Sequence, residues 1–133
     1  MADGVSLKVT GDKELERAFK RLGTRSNDIV MEKLKRAAHS VADRMAAAYT
    51  AASGKPITRI YVKTGLSSRG NPYASIVVIP GEDRMEINLE LGTRRTAAKP
   101  WFRATFRSSE TQAVAEREMQ AAVEQIIKEE RLL

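Results

Sequence analysis

His39 is the only histidine in the sequence, and there is no cysteine. Sites built on several imidazoles, on thiolate ligands or on a cysteine nucleophile are therefore excluded. The one cluster of carboxylates beside a turn is Glu82, Asp83, Glu86 and Glu90. Met85, Ile87, Leu89 and Leu91 alternate with Glu86, Asn88 and Glu90, which reads as a strand. On a strand Glu86 and Glu90 share a face roughly 13 Å apart, too far to hold a metal unaided. A solvated strand face is the expected role. Ser67 and Ser68 have no local base, so neither reads as a nucleophile. No glycine spacing matches a Walker or dinucleotide loop. His39 falls within a long helical stretch, one position past Ala38 of its apolar stripe, a surface or boundary place. The expectation is a non-enzyme with no catalytic residue, metal site or cofactor. A small enzyme such as a nuclease lacks the carboxylate or histidine cluster it needs.

The basic residues are the stronger chemical signal. Lys55, Arg59, Lys63 and Arg69 occur in residues 54–73 without an acid among them. Arg94, Arg95, Lys99, Arg103 and Arg107 do the same between 92 and 109. Such charges neutralise phosphates without reading sequence. Aromatic platforms for stacked bases are missing, since Tyr61 and Tyr73 are isolated and Trp101 with Phe102 sits beside Pro100. No helix-turn-helix or comparable reading module is evident. Lys55, Arg59, Lys63, Arg69, Arg94, Arg95, Lys99 and Arg103 are the candidate residues for facing DNA or a neighbouring subunit.

The charge is uneven along the chain. Residues 1–53 carry +3, residues 54–107 carry +6 and residues 108–133 carry −3. A basic middle and an acidic end can steer a polyanion or dock one copy on another. The 133 residues suit one domain over 1–133, and an apolar fraction of 42% allows a modest core. With aromatics at 5%, that core must be mainly aliphatic. The start, Met1-Ala2-Asp3-Gly4, does not read as a secretory signal. No apolar run reaches the roughly 18 residues of a membrane span. A soluble protein without a membrane partner is expected.

The elements that must position these groups can be read from periodicity. Val5, Leu7 and Val9 alternate as a short strand. Asp12 caps a helix carrying Leu15, Phe19 and Leu22, with Gly23 as its stop. Ser26, or else Thr24, is a candidate cap for a long helix. Its stripe is Met31, Leu34, Ala38, Val41, Met45, Ala48 and Ala52, and Gly54 with Pro56 ends it. Residues 54–73 read as an extended loop open to ordering by a partner, with a brief strand at Ile60 and Val62. Ile76–Ile79 reads as a strand buried on both faces, joined by the turn 80–83 to the strand 85–91 as a hairpin. Pro100 favours a last helix, anchored to the sheet by Trp101 and Phe102. Ala115, Met119, Ala122 or Val123, and Ile126 continue its stripe, with a break near Ser108-Ser109. Helices segregated from a small, mostly antiparallel sheet make the fold class α+β.

Glu90-Leu91-Gly92-Thr93 followed by Ala98-Lys99-Pro100-Trp101-Phe102-Arg103-Ala104 resembles the neck or tail-completion (minor tail component) family of lambdoid long-tailed phages. That family has a Glu-aromatic-Gly-Thr strand end and an Ala-x-Pro-Phe-basic helix start; Leu91 stands here for the aromatic. Val9-Thr10-Gly11 with Leu15 and Leu22, the Ala-rich long helix, and Lys63-Thr64-Gly65-Leu66 are similar to the family in order. The last is one residue short of its Thr-Gly-x-Leu. The resemblance implies a virion structural protein, assembled in the host cytoplasm, without catalytic activity. It implies a homo-oligomeric ring of six between the head connector and the tail tube, with connector and tail-tube or tail-terminator proteins as partners. Non-specific DNA would pass its channel. On physical grounds Glu90, Gly92, Thr93, Pro100, Trp101 and Phe102 chiefly build a strand-to-helix corner. The competing expectation is a small basic nucleic-acid-binding accessory protein.

Overall fold

A computed structural model describes residues 4, 5, 18 and 20–132. Its elements are β1 (Gly4–Val5), α1 (Thr24–Ser53), β2 (Ile60–Leu66), β3 (Pro72–Val78), α2 (Met85–Leu91), α3 (Trp101–Phe106) and α4 (Ser109–Arg131). The fold is α+β. The sheet order is β1-β3-β2, with both pairs antiparallel.

The centre of the molecule is α1. Ile29, Val30, Leu34, Ala37, Ala38, Val41, Ala42, Met45 and Tyr49 are buried along it, a stripe wider than a two-per-heptad seam. One side receives α4 through Met119, Ala122 and Ile126; the other receives Ala74 and Ile76 of β3. Alanines at 38, 42 and 74 let these layers approach closely. Gly54 ends α1 in the left-handed conformation, its N–H donating to the Thr50 carbonyl at 2.8 Å. The start differs from expectation. The helix begins at Thr24 behind Gly23, and no side chain caps it. Ser26 is instead buried in the first turn, its hydroxyl donating to the Gly23 carbonyl at 2.7 Å.

The hairpin lies one strand earlier than the sequence reading places it. β2 and β3 pair from Ile60↔Val78 to Leu66↔Pro72, so residues 54–73 are mostly a strand and a tight turn, not a long loop. The alternation was present but weak: Ile60 and Val62 face the core, while Tyr61 and Lys63 face out. The turn is short. Ser67 N–H donates to the Asn71 carbonyl at 2.8 Å, Gly70 N–H donates to the Ser67 carbonyl, and Gly70 takes φ 80°. A glycine at that position is what a type I turn closing on a bulge requires. Tyr73 pairs with Gly65 across the ladder, and its ring fills the space a Cβ on Gly65 would enter. β3 is fully buried on one face only: Ala74 and Ile76 are buried, Tyr73, Ser75 and Val77 on the other face are half-buried, and Ile79 just beyond the strand is 44% exposed.

Residues 85–91 form a helix, not a second strand. Met-Glu-Ile-Asn-Leu-Glu-Leu alternates, yet it also places Met85 and Leu89 at i, i+4, and these two pack on the core. Met, Glu and Leu are strong helix formers, so propensity and packing agree against the period-2 pattern. The break at 107–108 is as expected. The Ser108 hydroxyl accepts the Thr111 N–H at 3.2 Å and caps α4. Of the early strand and helix readings, Leu7, Val9, Leu15 and Phe19 lie outside the described residues. Leu22 is helical and packs on the core.

Candidate assembly surface

The corner from α2 to α3 is held by one carboxylate. Trp101, Phe102 and Arg103 are the first residues of α3, and Pro100 before them has no side chain able to cap their N–H groups. Glu90 supplies the missing acceptor. Its Oε1 takes the Phe102 N–H at 2.7 Å and its Oε2 takes the Arg103 N–H at 3.2 Å. The Arg103 guanidinium closes the unit, its Nε donating to Glu90 Oε2 and its Nη2 to the Glu90 carbonyl at 3.0 Å. Glu90 is therefore buried and fully used, which corrects the expectation of a solvated carboxylate face. Arg103 is likewise committed to Glu90 and is withdrawn from the free basic surface.

The connector between the helices is bound at both ends. Gly92 has φ 79° and ψ 168°, and a Cβ on it would lie 2.9 Å from the backbone N of Ala98. Thr93 turns the chain: its Oγ1 accepts the N–H groups of Arg95 and Thr96. Lys99 N–H donates to the Leu89 carbonyl at 2.7 Å, returning the chain to α2. Trp101 anchors α3 by donating Nε1–H to the Glu86 carbonyl at 3.1 Å and packing edge-on to Tyr49 with ring centroids 5.1 Å apart. The anchor is thus chiefly to α1 and α2, with the sheet behind them. Tyr49 donates to Glu86 Oε1 at 3.5 Å; burial first, then the Glu86 charge, push its hydroxyl above the usual phenol range.

The other basic residues singled out as facing DNA or a neighbouring subunit are all exposed. Lys63 lies with Tyr61 on the outer face of the edge strand β2, and Arg59 immediately precedes that strand, its carbonyl accepting the Ile79 N–H at 2.9 Å. Charges there also discourage strand-edge aggregation. Arg69 occupies the hairpin tip, and Lys55 follows the end of α1. Arg94, Arg95 and Lys99 line the connector. The acidic end of the chain is partly spent internally. Glu129 binds Arg25 with two hydrogen bonds, at 2.9 and 3.0 Å, and Glu130 binds Arg21 at 2.7 Å. Glu110, Glu116 and Glu124 are exposed on α4. His39 is exposed on α1.

One feature escaped the sequence reading. Val78, Pro80, Ile87, Leu91, Trp101 and Phe102 line an open, largely apolar cleft of about 370 Å³ between the end of β3, α2 and α3. Its rim residue Leu91 is 61% exposed. The cleft exists only because 85–91 is helical, and the i, i+4 pairs Met85–Leu89 and Glu86–Glu90 were its one signal. Among the described residues, no group of three or more His, Asp or Glu side chains is placed to hold a metal ion. No described helix is long and apolar enough to cross a membrane. Comparisons with protein-family models, with curated proteins and with solved structures give no match.

Proposed function

We propose that this chain is a ring-forming neck or tail-completion component of a tailed bacteriophage, joining head connector to tail tube and lining the DNA exit channel. The observation that carries this reading is the corner itself. The residues of the phage-like motif, Glu90, Gly92, Thr93, Pro100, Trp101, Phe102 and Arg103, act as one bonded unit that fixes α3 and leaves no reactive group free. Their role is architectural, and architecture that presents surfaces is what a virion component needs. A ring of identical subunits requires two different complementary surfaces on each. The cleft and the exposed basic and acidic faces supply material for them. Six copies, with connector and tail-tube or tail-terminator proteins as partners, follow from the resemblance. The virion is then the place of action.

The test is light scattering and negative-stain imaging of the purified chain, with complementation of a phage mutant in the corresponding gene. Closed rings and restored tail joining are expected. A strictly monomeric protein that also fails to complete particles would sink the proposal.

A second reading, a nucleic-acid-binding accessory protein, rests on exposed Arg94, Arg95 and Lys99 with no acid between 92 and 109. It predicts salt-dependent binding of duplex DNA by the free monomer. No binding at low salt removes it.

A further inference from the structure

We infer that the outer face of the sheet is a platform for single-stranded nucleic acid: Tyr61 and Tyr73 stack on two of its bases, and Lys63 between them takes a phosphate. The inference does not depend on the ring-forming reading, and its site is separate from the connector.

The two tyrosines are twelve positions apart and isolated in the sequence; the hairpin brings them together. Ile60 and Val62 of β2 and Ala74 and Ile76 of β3 face the core against α1. Side chains alternate along a strand, so Tyr61, Lys63 and Gly65 share the opposite face with Tyr73, Ser75 and Val77. The register sets Tyr61 beside Val77, Lys63 beside Ser75 and Gly65 beside Tyr73.

Gly65 decides where the Tyr73 ring lies. A Cβ on residue 65 would meet Oη, Cζ and Cε1 of Tyr73 at 2.8, 3.0 and 3.1 Å, near-equal distances that put the flat of the ring toward the glycine. The ring thus crosses onto β2, and its other face turns outward. The line along β2 then reads ring, cation, ring. Four residues of strand separate Tyr61 from Gly65, about 13 Å, so the two rings take different bases of one strand. Tyr61 is 51% exposed and Lys63 is exposed.

Charge and stacking select the occupant. None of the ion pairs among the described residues engages Arg59, Lys63 or Arg69. The acids Glu82 and Asp83 follow Pro80 and lie at the Arg59 end of the hairpin; from Lys63 to Arg69 at the tip the face carries no acid. A polyanion fits that half. In a duplex the base faces are already stacked on one another, whereas a single strand offers them to aromatic side chains. Exposed rings interleaved with a cation therefore match the unpaired form, without sequence preference.

The test is fluorescence anisotropy of labelled oligo(dT) and oligo(U) of about 15 nucleotides, beside a duplex of equal length. Either single strand is expected to bind at least about tenfold more tightly than the duplex. Tyr61→Val keeps a β-branched partner for Val77 and so spares the sheet, yet is expected to weaken single-strand binding about tenfold; Tyr61→Phe keeps the ring and the binding. Lys63→Ala is expected to lower the salt slope by about 0.7, one phosphate contact on a single strand. Gly65→Ala, which displaces the Tyr73 ring, is expected to weaken binding as well. Trp101 fluorescence checks the fold of each variant. Duplex bound as tightly as single strand, unchanged binding by Tyr61→Val, or no binding at about 50 mM salt overturns the inference. So do native oligomers that dissociate on Tyr61→Val, since a second copy then covers the face. Rings that form without single-strand binding sink this inference and leave the ring-forming reading standing; Tyr61-dependent binding by a chain that stays monomeric and completes no particles does the reverse.

Discussion

The carboxylate of Glu90 accepts the backbone N–H of Phe102 at 2.7 Å, twelve residues along the chain. A capping group normally comes from the residue just before its helix; here it comes from the preceding helix, because Pro100 occupies that place. Removing it leaves the N–H groups of Phe102 and Arg103 without an acceptor and the guanidinium without its counter-charge. Glu90→Ala is expected to cost about 2–3 kcal/mol, and Glu90→Gln about half as much. Urea unfolding followed by Trp101 fluorescence measures both. An effect of Glu90→Ala below about 0.5 kcal/mol, ordinary for a surface change, would show that the corner does not depend on this group.

Gly92 and Gly54 both have positive φ, but they are not equivalent. Gly54 is in the left-handed helical region with open space where a Cβ would lie. Gly92 combines φ 79° with ψ 168°, a region nearly closed to other residues, and faces the Ala98 backbone at 2.9 Å. Gly54→Ala is expected to cost about 1 kcal/mol. Gly92→Ala is expected to cost about 3 kcal/mol, because strain and the collision add. Thermal unfolding of the two variants side by side decides the matter; equal losses would mean the connector relaxes freely around residue 92.

Much of this architecture is legible in the residue pattern. The long helix with its Gly54 stop, the break before α4 and the segregation of helix from sheet all follow from repeats long enough to define a period. The hairpin lies one strand earlier than periodicity suggests, for a physical reason. Met85–Leu91 is seven residues, and its apolar positions satisfy both a strand and a two-turn helix. Packing of Met85 and Leu89 on the core decides between them. β2 is obscured because Tyr61 faces outward, Thr64 falls in the core-facing row and Gly65 interrupts the run. Glu90 and Arg103 cannot be paired from spacing: they are thirteen positions apart, with a turn between them. The motif residues are legible as a corner, but the cleft beside them depends on a helix whose apolar positions also fit a strand.

The C-terminal end of α4 is tied to α1 by Arg25 and Glu129. The Arg25 guanidinium, and after it the Gln125 amide, hold the Glu129 carboxyl below its ordinary value of 4.5. A carboxyl lowered by folding stabilises the native state above its unfolded value, and that contribution fades as pH falls through the folded value. Glu129→Gln is therefore expected to be slightly less stable than the parent at pH 7, with the gap closing from about pH 5 to about pH 3. The pair is solvent-exposed, so the gap is small and shrinks in salt. Urea midpoints of both proteins across this range give the answer. A gap that widens toward acid would mean the pairing does not govern the titration.

The basic residues divide by whether their charge is already engaged. Arg103 is bound to Glu90, whereas Arg94, Arg95 and Lys99 stand exposed on the connector. Only the second group can exchange counterions with DNA. If the connector lines the channel, Arg94→Ala, Arg95→Ala and Lys99→Ala together lower the slope of log affinity against log salt by about 3, one for each phosphate left without its cation. Arg103→Ala destabilises the corner and leaves the slope where it was. Fluorescence anisotropy with duplex DNA from about 50 to about 200 mM salt separates these outcomes. Lys63→Ala reports in the same way on the outer sheet face. An unchanged slope in the triple variant places DNA elsewhere and leaves the connector to a protein neighbour.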